Sequence, residues 1–157
     1  MTSKSRAVLQ DGRHVYELLE TEADPASFRV LWVAGTALAR AIGHILHKVD
    51  GRTGELARGI VAREFGSWKS KSEEHAIYWD FICDERNKVL KQYELGFLPG
   101  PIQVAVGDDV FELDEGLFCP MPDGRYAGAD CRDVLKEALD WWSERLDLID
   151  QAYERER

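Results

Sequence analysis

Cysteine is scarce in this chain and placed without pattern. Cys83, Cys119 and Cys131 are odd in number and include no C-x-x-C pair. That excludes a disulfide framework and a thiolate zinc site, and points to free thiols in a reducing compartment. Clean hydrophobic runs are missing too. The most apolar stretch, Phe28 to Val49, is interrupted by Arg29, Arg40, His44, His47 and Lys48, too many polar groups for a membrane span. The opening residues MTSKSRAVLQ hold no apolar segment of signal-peptide size. These absences predict a cytoplasmic protein with no membrane partner. Internal repeats and low-complexity tracts are lacking, as are the familiar catalytic signatures. No Walker loop, G-x-G-x-x-G, H-E-x-x-H, G-x-S-x-G or EF-hand loop occurs, so neither a metal nor a cofactor is expected.

What is present is an ordinary globular composition, 45% apolar and 31% charged over 157 residues. This length suits one domain, residues 1–157, with a full hydrophobic core. The net charge of −9 is unevenly spread: residues 1–51 hold 6 basic and 6 acidic side chains, residues 52–91 hold 8 and 7, and residues 92–157 hold 6 and 16. A general nucleic-acid coat needs a basic surface and is therefore excluded, whereas a small basic site on the middle segment is allowed.

Hydrophobic periodicity predicts a mainly α protein, a four-helix up-and-down bundle with a β-hairpin excursion before the last helix. Residues 7–18 contain Asp11-Gly12, a hairpin-turn signal between short apolar runs, with a short helix from about His14 as the alternative. Asp24-Pro25 caps the first long helix, and Gly51 stands where a C-terminal glycine belongs. Gly35, Ala39 and Gly43 form a small-residue ridge on it, read as plain helix packing. Thr53 caps a second helix that runs to about Phe65, where Gly66 weakens it. Ser70 and Glu73 form a capping box for a third helix reaching Leu95 and stopped by Gly96, with Pro99 and Pro101 beyond. Residues 97–128 read as a β-rich excursion built on IQVAV and VFELDE. Asp130 caps the last helix, which carries Val134 through Tyr153.

Several polar groups interrupt these apolar faces. Thr36, Arg40, His44 and His47 form a polar ridge on the first long helix, read as solvated or interfacial because no Glu or Cys is spaced to complete a metal site. Trp141 and Trp142 lie about 100° apart on the last helix, so only one is expected to point inward. Trp142 fits the core, leaving Trp141 as a partner contact or a cover for the base of the β excursion. In FICDERNKVLKQY, residues 81–93, Arg86 falls four residues after Ile82 and four before Leu90, on the stripe that should be core. An arginine there either pairs with a carboxylate (Asp80, Asp84 or one in the last helix) or belongs to a site.

Arg86-Asn87-Lys88-Val89-Leu90-Lys91-Gln92-Tyr93 is R-N-x-x-x-K-x-Y. It resembles the R-x-x-x-x-H signature, often with Asn after Arg and in one toxin branch R-x-x-x-x-H-x-Y, of the HEPN superfamily, small helical bundles in prokaryotic toxin–antitoxin and antiphage systems. The match covers Arg86, Asn87 and Tyr93 on the penultimate long helix. It departs at Lys91, which stands where the family has histidine, and the β excursion is an addition to the usual bundle. The resemblance implies a homodimer in which two copies of the motif converge on RNA, and a cognate antitoxin as a further partner.

Metal-independent RNA cleavage needs a base for the 2′-OH, an acid for the leaving oxygen and a cation on the phosphate. Arginine suits the last task and histidine the first two. Lysine ordinarily keeps its proton to about pH 10.4 and is a poor base near neutrality. The leading expectation is therefore an RNA-, nucleotide- or acidic-segment-binding clamp of Arg86, Asn87 and Lys91 with little or no nuclease activity. Tyr93 is a further motif residue, and Lys88, His75 and Trp141 are supporting contacts. The alternatives are a metal-independent endoribonuclease toxin or antiphage effector, in which Lys91 substitutes for the histidine or a histidine such as His75 is supplied from elsewhere, and a non-catalytic structural or interaction protein of mobile-element or phage origin.

Overall fold

A computed structural model describes residues 1–98, 100–114 and 116–157, without the side chain of Leu90. Pro99, Glu115 and the Leu90 side chain, all used in the sequence reading, lie outside the described residues. The chain is mainly helical with one small two-stranded sheet. Its long helices are α1 (Ser3–Thr21), α2 (Pro25–Lys48), α3 (Glu55–Ser70), α4 (Asp84–Gln92) and α5 (Cys131–Glu156), and α4 continues a π-helical segment, Ile77–Cys83. The number differs from the four expected, because the N-terminal residues form a helix of their own.

No hairpin forms at Asp11-Gly12; both lie inside α1. The reason is tertiary. Ser5, Leu9, Gly12 and Leu19 form the buried face of α1, and a Cβ on Gly12 would come within 3.0 Å of Leu139 of α5. The glycine permits close helix packing rather than a turn. The first turn of α1 has no side-chain cap of its own. Asp50, buried in the short 3₁₀ turn Asp50–Arg52, caps it from a distance, accepting from the Ser5 amide at 2.8 Å and the Ser5 hydroxyl at 2.7 Å.

The α2 start matches its sequence signals: Asp24 accepts from the Ser27 amide at 2.8 Å, and Pro25 opens the helix. Its end does not. Gly51 sits inside the 3₁₀ turn, buried, where a Cβ would meet the Leu46 carbonyl oxygen at 2.9 Å. The small-residue ridge packs against α5. Gly43 faces the Trp142 ring, and the Ala39 carbonyl accepts from the Trp142 indole at 2.8 Å. By length and composition α2 is the one described helix that could cross a bilayer. It lies against α1, α3, α4 and α5, burying Phe28, Trp32, Ala39, Ile42 and Leu46 in the core.

Thr53 does not cap α3; its hydroxyl donates back to the Asp50 carbonyl at 2.8 Å. The helix passes Gly66 and ends at Ser70, held by buried Trp68. Ser70 closes α3 by donating to the Ser67 carbonyl at 3.0 Å, so the expected capping box does not form. A turn over residues 71–75 leads into the π-helical segment.

The excursion contains the expected hairpin, β1 (Ile102–Val106) and β2 (Asp109–Leu113), paired antiparallel with Val104 opposite Phe111. Among the described residues neither strand contacts a helix. Its root does join the core: Phe97 packs edge-on against Phe28 at 5.3 Å and Trp32 at 5.6 Å, and Cys119 and Met121 are buried. Asp130 then caps α5 through the Arg132 amide at 2.9 Å.

Candidate functional site

On α4 the charged residue that the core accepts is Glu85, not Arg86. Glu85 is 2% exposed and accepts from the Trp32 indole at 3.2 Å and the Gly96 amide at 2.7 Å. Burial raises its carboxyl above the ordinary range, against those two hydrogen bonds. Gly96 is required here because a Cβ would overlap the Glu85 carboxylate. It therefore serves Glu85 rather than stopping the helix. Tyr93 stops α4, in the left-handed conformation at φ 55°.

Helical spacing accounts for the exchange of roles: Glu85 falls four residues after Phe81, three after Ile82 and four before Val89, so these residues share one face. Phe81, Ile82, Glu85 and Val89 face the core, and Arg86, one residue on, lies at its edge, half-buried. None of the proposed carboxylates takes it. Asp80 accepts instead from Arg125 at 2.8 Å, and Asp84 is exposed. Among the described residues Arg86 has no ion pair; its Nη1 donates to Asn87 Oδ1 at 3.2 Å.

Arg86 opens instead onto α2. Ala37, Arg40, Ala41, His44 and Ile45 of α2 line a surface groove of about 360 Å³ with Arg86. The alanines keep the floor low, and Arg40, His44 and Arg86 supply the polar walls. Arg40 also points toward Tyr78 of the π-helical segment, its Nη1 3.5 Å from the hydroxyl and its guanidinium 5.9 Å from the ring centre. Burial pushes the Tyr78 phenol up to about 12 despite the nearby Arg40 charge, so it stays protonated. The adjacent Cys83 thiol is likewise raised by burial, which keeps it an unreactive thiol near neutrality. No carboxylate lines the groove among the described residues. Such an arrangement can hold an anion, with two guanidiniums available for paired hydrogen bonds and an imidazole beside them.

The other sequence-derived residues are placed differently. Lys91 and Tyr93 are exposed and do not line the groove, and Lys88 makes a 3.5 Å surface pair with Asp123. His75 is 7% exposed, its Nδ1 accepting from the Trp141 indole at 3.2 Å. Burial lowers its pKa, with the Arg145 charge adding to the effect. It is a neutral structural histidine about the far side of the aromatic cluster rather than a member of the groove. Trp141 and Trp142 both point inward, at 9% and 0% exposure. The turn over residues 71–75 and α3 together wrap the last helix widely enough to take both rings. Trp141 packs on Trp68 at 5.0 Å and Tyr78 at 5.4 Å. Thr36 is buried, its hydroxyl donating to the Trp32 carbonyl at 3.0 Å, so the polar ridge of α2 emerges only from Arg40 onward. Among the described residues no three His, Cys, Asp or Glu side chains gather as a metal site.

Arg40 and His44 are the residues that sequence reasoning did not join to Arg86. The ridge and the motif were each visible, but no local pattern shows that α2 and α4 lie side by side. Compared with family models, with curated proteins and with solved structures, the chain matches none.

Proposed function

We propose that this protein is a cytoplasmic RNA-binding helical protein of HEPN-like type, holding backbone phosphate in the groove of Arg40, His44 and Arg86. The observation that supports it is the convergence of cationic and imidazole side chains from two helices where no carboxylate answers them. An arginine fork left without an acidic partner is suited to a phosphate that arrives from outside. The motif lysine has no part in the groove, so the clamp is Arg86 with Arg40 and His44, and Asn87 orients Arg86. A homodimer that sets two such grooves together is the arrangement the family resemblance implies.

The test is fluorescence anisotropy of a labelled single-stranded RNA. Two arginine–phosphate contacts predict a log K against log salt slope of roughly −1.4, and Arg86→Ala should weaken binding about tenfold, the scale of one charge-assisted contact. Equal affinity of the wild type and Arg86→Ala at low salt would remove the proposal.

A second reading, ribonuclease activity, is favoured by one feature: a histidine does share a groove with Arg86, but it is His44 rather than a residue at position 91. If chelator-treated protein cleaves RNA, His44→Ala should abolish cleavage and Lys91→His should leave it unchanged. Cleavage that survives His44→Ala would exclude this chemistry.

A further inference from the structure

Beside the phosphate groove lies a second depression that shares its Arg40 and His44 wall. This cleft, about 240 Å³, is lined by Phe65, Trp68 and Tyr78 on the aromatic side and by Arg40, His44, His47 and Lys48 on the polar side. It too has no carboxylate among its lining residues. Its size falls just below the usual range for small-molecule pockets, roughly 300 Å³ upward, and therefore suits one ring system rather than an extended ligand.

The aromatic side is built to meet a flat ring. Phe65 packs edge-on against Trp68 at 5.9 Å, Tyr78 at 6.1 Å and Trp79 at 5.9 Å, and remains 38% exposed. A phenyl ring fixed by three neighbours yet open to solvent offers a stacking surface at little entropic cost. Trp68, 2% exposed, backs the Phe65 ring from the core side. The polar side adjoins the groove, since Arg40 and His44 line both.

We infer that the cleft is a nucleobase subsite: the base of a ribonucleotide stacks on Phe65 within the aromatic cleft while its phosphate crosses the Arg40–His44 wall to Arg86. This rests on the proposed phosphate groove and adds the identity of what is attached to the phosphate. The ligand is then a single-stranded ribonucleotide unit, since a base held in a duplex cannot present its face to Phe65.

The experiment measures binding of 5′-AMP, 5′-UMP and ribose 5-phosphate to the full chain by calorimetry, for the wild type, Phe65→Ala, Phe65→Tyr and Arg86→Ala. The wild type should bind at least one nucleotide about tenfold more tightly than ribose 5-phosphate, within the range that one base–aromatic stack is worth. Phe65→Ala should bring that nucleotide to the level of ribose 5-phosphate, and Phe65→Tyr should restore the preference. Nucleotides and ribose 5-phosphate bound equally by the wild type would overturn the base subsite and leave the phosphate groove standing, provided Arg86→Ala weakens both. No binding of any of the three would overturn both readings.

Discussion

His75 carries a proton-linked consequence at the scale of one residue. Its folded pKa lies below the ordinary 6.5 because burial disfavours the imidazolium, and Arg145 disfavours it further. Below pH 6.5 the unfolded chain therefore binds protons that the folded chain refuses. The contribution of neutral His75 is fully present above 6.5 and is lost as pH falls through the folded value. His75→Asn keeps an acceptor for the Trp141 indole and removes the titration. Urea midpoints should fall between pH 7.5 and 5 in the wild type and fall less in His75→Asn; parallel curves would contradict the assignment. This role was hidden in the sequence, where His75 reads only as a histidine 11 residues before Arg86 that could stand in for the one the motif lacks. Arg86 was legible as an anomaly on an apolar stripe. What escaped is that Glu85, four residues after Phe81 and four before Val89, shares that stripe and takes the core position, a choice that spacing alone leaves open.

The elements divide by how local their causes are. The starts of α2 and α5 were legible because Asp24 and Asp130 act on amides two or three residues away. The hairpin was legible for the same reason, since Gly107 at φ 63° permits its tight turn. What escaped was long-range. Gly12, Gly51 and Gly96 all resemble turn or stop signals, and each is instead a place where a packed neighbour comes too close for a Cβ: Leu139 at Gly12, the Leu46 carbonyl at Gly51 and Glu85 at Gly96. The hairpin itself touches no helix among the described residues, and Val106, Val110 and Phe111 are exposed at 61%, 64% and 54%. A two-stranded sheet of this kind adds little to stability. Replacing residues 102–113 with a short Gly-Ser linker should lower the melting temperature by less than about 3 °C, equivalent to roughly 1 kcal/mol in a chain of this size. A fall above about 10 °C would mean that the hairpin supports the helices.

At the scale of the molecule, charge is segregated. The chain is −9 overall, and residues 92–124 contain no Lys or Arg at all while carrying Glu94, Asp108, Asp109, Glu112, Asp114, Glu115 and Asp123. Among the described residues the α2–α4 groove and its adjoining cleft present only cationic, imidazole, aromatic and aliphatic groups. On the proposed reading a polyanion is repelled from the excursion and meets only that face, so binding should be site-directed and weakened by salt rather than spread over the surface. The most direct measurement is NMR of the isotope-labelled full chain during addition of a short single-stranded RNA. Shifts should concentrate on Arg40, His44 and Arg86, extend to Phe65 and Trp68, and spare residues 101–114. Shifts confined to the excursion or to α5, with the three groove residues unmoved at saturating RNA, would contradict the account.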